Sequence, residues 1–115
     1  MFSSKKRTVI VRIEAKNIVW QGFQDPETGK WIGVCKALNL NAAGDTFQDL
    51  QACANDAMAL LFADLLSEGD LQGFLRANGW SLGTPLPGPG VRPLFDIPAD
   101  WNSKARYEEL MPAGR

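Results

Sequence analysis

Three carboxylates are the residues most able to do chemistry. Glu14 falls on an expected strand, Asp45 at a turn and Asp49 on an expected first helical turn, and acids gathered at one end of a sheet can hold a pair of catalytic metal ions. Each also has a plainer role. Asp45 and Asp49 complement the positive end of a helix, and Glu14 lies on the exposed face of its strand. Histidine is absent from all 115 residues, which removes the commonest general base, the usual partner of a Ser or Cys nucleophile and the commonest zinc ligand. Neither a G-x-x-x-x-G-K-S/T phosphate loop nor a G-x-G-x-x-G turn occurs. No catalytic, cofactor-binding or metal-ligating set is therefore assigned, and the chain is expected not to be an enzyme.

Binding is the alternative to chemistry. Trp20, Phe23 and Trp31 flank one expected hairpin, and such rings can stack bases, pair across strands, or be buried against a second copy. With Phe95 and Trp101 they form the candidate interface. The formal net charge is −1, so no global field draws the chain to nucleic acid or an anionic membrane. The basic run Lys5-Lys6-Arg7 reads as a solvated flank that protects a strand edge. Hydrophobic content of 45% and charged content of 22% are those of an ordinary soluble domain. No apolar run approaches a membrane span, and Met1 to Arg7 lacks the apolar region of a signal peptide, so a cytoplasmic location is expected. Cys35 and Cys53 lack a metal or redox spacing and are expected as buried thiols.

The elements that must position these residues follow from periodicity. Thr8 to Ala15 alternates as a half-buried strand; Ile18 to Phe23 and Trp31 to Cys35 form a hairpin across the turn residues Asp25 to Lys30; Ala37 to Ala43 alternates again. Gly44-Asp45-Thr46 then opens a helix. Thr46 followed by Asp49 is a capping-box pattern, and the run extends to Ser67, with Gly69 placed to end it. Leu50, Cys53, Ala54, Ala57, Leu60, Leu61 and Leu65 are expected to face a sheet, with Met58, Phe62 and Leu66 as a second stripe. A short helix over Leu71 to Asn78 is its expected cover. The segment from Thr84 to Gly90 is a Pro/Gly-rich linker, and Val91 to Ile97, interrupted by Pro93, can pair only at a sheet edge. Asn102 or Ser103 is placed to cap a last short helix reaching Met111. The expected fold is α+β: a small antiparallel sheet of three to four strands, one long helix packed on one face and a second short helix. A domain over 1–81 precedes a linker and tail over 82–115.

The segment Trp31 to Thr46, with Gly44-Asp45-Thr46 opening the helix, resembles the HicB-like antitoxin family, whose members carry an aromatic strand, a Cys-Pro-x-Leu stretch and then Gly-Asp-Thr at a helix start. The resemblance extends from about Val9 to Trp80 and includes a short helix ending in Gly79-Trp80. Lys36 and Ala37 stand where the family has proline and an acidic residue, so the turn chemistry differs. What the resemblance implies is a partial ribonuclease H-like fold, dimerisation, and masking of a small ribonuclease toxin by protein contact. Its motif residues map onto Gly44, Asp45, Thr46 and Asp49. Many relatives append a helix-turn-helix or ribbon-helix-helix module; the Pro-rich tail here shows none, so DNA binding is not expected of this chain alone. The alternative is an orphan domain of the same type that binds RNA through its aromatic hairpin or acts as a dimeric interaction module.

Overall fold

The structure, a computed structural model, describes residues 7–88 and 90–102. In chain order its elements are β1 (Arg7–Glu14), β2 (Val19–Gln24), β3 (Trp31–Cys35), β4 (Leu40–Gly44), α1 (Phe47–Ser67), α2 (Leu71–Ala77), β5 (Ser81–Leu82), β6 (Val91–Asp96) and β7 (Asp100–Asn102). They fall into two compact units. One takes Met1–Lys16 with Leu61–Pro98, the other Asn17–Leu60 with Ala99–Arg115. No helix among the described residues is long and apolar enough to cross a membrane.

The second unit is built on the hairpin. Asp25 accepts from Glu27 N–H on its side chain at 2.9 Å and from Gly29 N–H on its backbone at 2.8 Å, closing a six-residue loop. Strands β2, β3 and β4 pair antiparallel in register, with Gly22 opposite Gly33 and Gly33 opposite Ala42. Strand β4 begins at Leu40 rather than Ala37, because Lys36–Asn39 forms a turn in which Asn39 takes φ 56°. Asparagine tolerates that region better than most residues.

Helix α1 has the predicted bounds. The Thr46 hydroxyl accepts from Asp49 N–H at 3.0 Å, satisfying a first-turn donor that has no partner within the helix. Gly44 cannot carry a side chain: a Cβ there would lie 2.7 Å from the Asp49 carbonyl carbon and closer still to the Leu50 nitrogen. At the other end Gly69, at φ 77°, donates to Leu66 O, and Asp70 N–H donates to Leu65 O at 2.8 Å, the paired bonds of a Schellman ending. The same pair closes α2, through Gly79 to Arg76 O and Trp80 to Leu75 O.

The helix buries one row at four-residue spacing: Leu50, Ala54, Met58 and Phe62 are each 3% exposed or less. This corrects the expected faces. Cys53 is exposed, and Leu60 is 64% exposed. A row at spacing four inclines to the helix axis, so it merges the start of one predicted stripe with the middle of the other. Periodicity permits both rows, and only the elements packed on the helix choose between them.

The described chain is α+β with two helices, as expected, and its four-stranded sheet is mostly antiparallel; the expectation of a single sheet is corrected. Among the described residues there are two mixed sheets, of order β5-β1-β6 and β4-β3-β2-β7. Strand β1 takes a parallel partner in β6 and a short antiparallel one in β5, and none in β2; β2 takes β7 in parallel. The segment read as linker and tail thus supplies strands to both sheets. Parallel pairing joins strands distant in sequence, so no local pattern announces it. Pro93 does fall on an edge strand. Asn102 ends β7, while the terminal helix expected to follow Asn102 or Ser103, and Lys5-Lys6, lie outside the described residues.

In the first unit Val11, Ile13, Phe62, Leu71 and Leu75 are buried. The Phe62 ring lies 6.0 Å from that of Phe74 and 5.9 Å from that of Phe95, so α2 covers Phe62 as expected. The prediction from the cap is that Thr46→Ala lowers stability by about 1 kcal/mol. A shift of the urea midpoint at unchanged slope checks it, and an unchanged midpoint would refute it.

Candidate functional site

The aromatic residues of the second unit form a continuous row. Trp20 stacks on Trp101, with ring centroids 5.5 Å apart and planes at 18°; Phe47 meets Trp101 edge-on at 5.3 Å and Trp31 edge-on at 5.2 Å. Two glycines make room. A Cβ on Gly33 would stand 3.0 Å from Leu50 and 3.2 Å from the Trp20 ring, and one on Gly22 would reach 3.4 Å from Phe47 and 3.5 Å from Trp101. Both glycines sit in strand interiors, where they mark a close approach. Trp20 is wholly buried and its indole N–H donates to Met58 Sδ at 3.4 Å, so its polar atom is partnered without water.

The residues singled out in the sequence therefore take different roles. Trp20 and Phe23 are buried, at 0% and 5% exposure. Trp101, between Trp20 and Phe47 in the row, and Trp31, at its far end, are half-buried, and Phe95 packs on Phe62 in the first unit. Base stacking across Trp20 is closed off. What remains accessible is the partly exposed Trp31, Phe47 and Trp101. The sequence reading missed Phe47, Met58, Gly22 and Gly33 as members of this cluster. Phe47 hides behind the capping motif, and the glycines carry no signal beyond their place inside strands.

The candidate carboxylates belong to different units. Glu14 belongs to the first unit and Asp45 and Asp49 to the second; Asp45 lies 4.0 Å from Lys30 Nζ with both side chains exposed. Among the described residues no three or more of Cys, Asp and Glu are placed to hold a metal ion. In the first unit a cleft of about 450 Å³ is lined by Arg12, Ile13, Glu14, Lys16, Ser81 and Asp96, a surface of mixed charge.

The long helix carries the most one-sided surface. Asp49, Cys53, Asp56 and Leu60 are all exposed and, at ~100° per residue, fall on one face. From Phe47 to Asp70 the chain holds Asp49, Asp56, Asp64, Glu68 and Asp70 and no Lys or Arg. Comparison with protein-family models, curated proteins and solved structures finds no match to this chain.

The two cysteines separate in the same way. Both are free, and burial pushes the Cys35 thiol up, opposed by backbone hydrogen bonds from Leu38, Ala37 and Val19. The expectation that both are buried holds for Cys35 alone. In the native state one thiol per chain, Cys53, should react promptly with an aromatic disulfide reagent, with Cys35 following only on unfolding. Two fast thiols would contradict this packing. Trp101→Ala should cost about 1–3 kcal/mol, since it uncovers Trp20 and removes two ring contacts. Chemical denaturation measures the loss, and near-ultraviolet circular dichroism should show a weakened signal from the coupled indoles.

Proposed function

We propose that this chain is a HicB-like, antitoxin-type binding protein of the cytoplasm that masks a small ribonuclease toxin by protein contact, works as a homodimer, and has no chemistry of its own. The resemblance of Trp31 to Thr46 supplies the family. The observation that carries the reading is the acidic outer face of α1, with Leu60 at its centre 64% exposed. A protein that handles RNA presents Lys and Arg to phosphates. An acidic surface of similar shape can occupy that site in place of RNA, and complementary charge speeds the encounter while an exposed apolar residue anchors it. Full burial of Trp20 takes that ring out of the rival reading of an aromatic RNA platform, which is left with Trp31, Phe47 and Trp101.

The placement of β6 and β7 changes how the reading must be tested. A Pro/Gly-rich linker would give the tail Val91 to Met111 the reach to lie along a partner, but its strands β6 and β7 pair within this chain. Removing residues 85–115 would strip a strand from each sheet and report on folding rather than on binding. Surface variants of α1 avoid that. Tagged wild-type chain should copurify from its source cell with a small basic protein whose ribonuclease activity the pure chain suppresses. Leu60→Lys and Asp56→Lys should each weaken that capture about tenfold or more while leaving the circular dichroism spectrum intact. Undiminished capture by both variants removes α1 from the contact. If nothing copurifies and the chain binds RNA at micromolar affinity with a steep salt slope, the reading fails.

A further inference from the structure

Strand β6 lies at the edge of its sheet, and its outward residues read Arg92, Leu94, Asp96. Their spacing is palindromic in charge: a cation and an anion stand two residues to either side of a leucine that is 57% exposed. On the neighbouring strand β1, Ile10 is the register partner of Leu94 and is 55% exposed, while Arg12 is the partner of Asp96. Two large aliphatic side chains thus stand together on an open sheet face. Arg12 Nε lies 3.8 Å from Asp96 Oδ2, with both side chains mostly in water.

We infer that β6 is the self-pairing edge of this protein: two copies join antiparallel about a two-fold axis through Leu94, making one continuous sheet of order β5-β1-β6-β6-β1-β5. The inference rests on the dimer in the functional reading and not on the toxin.

Register selects this arrangement. With Leu94 opposite Leu94 of the second copy, Arg92 falls opposite Asp96 on both sides of the axis, and opposite charges directly across an antiparallel pair are stabilising. Moving the axis to Pro93 sets Leu94 against Arg92. Moving it to Phe95 sets Leu94 against Asp96. Only the Leu94 register matches every outward pair. It also aligns Ile10, Leu94, Leu94 and Ile10 in a row across four strands, removing four aliphatic side chains in part from water. Asp96 then lies between Arg12 of its own chain and Arg92 of the other.

Pro93 is the feature that argues for a blunted edge. It has no N–H, so two-fold pairing forfeits at most two hydrogen bonds, while its carbonyl remains able to accept. The residue therefore weakens the ladder without closing it. A contact between two six-residue edges is smaller than a standard interface, which places the equilibrium in the micromolar range or weaker instead of the nanomolar range.

Sedimentation equilibrium on the full chain, from about 1 µM to about 1 mM, reads this directly. Wild type should pass from monomer to dimer. Leu94→Lys sets like charges opposite each other at the axis, and Arg92→Asp sets a second carboxylate against Asp96; each should weaken the dimer about tenfold or more. Asp96→Arg should do the same. Mixing Arg92→Asp with Asp96→Arg then restores opposite charges in both pairs, so the mixture should form a heterodimer tighter than either variant alone. All three positions are exposed, and circular dichroism confirms that each variant is folded. A wild type monomeric to about 1 mM, a dimer unchanged in Leu94→Lys and Arg92→Asp, or no gain on mixing would each overturn the proposal.

Discussion

Burial of Trp20 is the constraint on which the second unit depends. A side chain of that size at 0% exposure demands space, cover and a partner for its N–H. Gly33 gives the space, since even a methyl group there would press into the ring at 3.2 Å. Met58 gives the partner from α1, and Trp101 gives the cover by stacking on it from β7. Helix, hairpin and the last described strand are thereby tied to one ring. This explains why so short a strand as β7, three residues long, holds its place: its pairing with β2 is reinforced by an aromatic stack and by a hydrogen bond from Asn102 Nδ2 to Gln21 Oε1 at 2.9 Å.

The first unit solves a different problem. Its sheet is built around β1, whose partners arrive from the far end of the chain, and its interior is apolar side chains from β1, α1 and α2. Phe62 is the meeting point, with Phe74 and Phe95 on it at 6.0 and 5.9 Å. Loop residues finish the sheet: Gly83 N–H donates to Arg12 O at 2.8 Å, and Arg12 N–H donates to the Thr84 hydroxyl at 3.1 Å. Those bonds satisfy backbone groups of β1 just where the two-residue β5 stops.

Under the proposed binding role, function on this scaffold is a matter of surfaces. Aromatic residues that would serve as binding platforms are drawn largely into the interior, which leaves the acidic outer face of α1 and the outward row of β6 as the surfaces with the clearest pattern. They differ in physical character. One is a single-sign strip around an exposed leucine, suited to a partner of opposite charge; the other balances its charges about a leucine, suited to a copy of itself.

The sequence by itself determined what depends on neighbours in the chain. Thr46 and Gly69 bound α1 because caps act over one turn, and Asp25 to Lys30 closes the hairpin because its bonds join residues a few positions apart. The alternation of β1 and the edge position of Pro93 are likewise local consequences of the pleat and of a missing N–H. The absence of histidine narrowed the chemistry without any structure. Tertiary structure decided the rest: that β6 and β7 pair in parallel with strands some 80 residues earlier, that α1 buries the row from Leu50 to Phe62 and leaves Cys53 and Leu60 in water, and that Trp20 is core instead of surface. These are choices among arrangements of nearly equal local energy. A helix with apolar residues over half its circumference can bury either of two rows, and an edge strand can take any partner within reach, so only the packing of distant segments selects one.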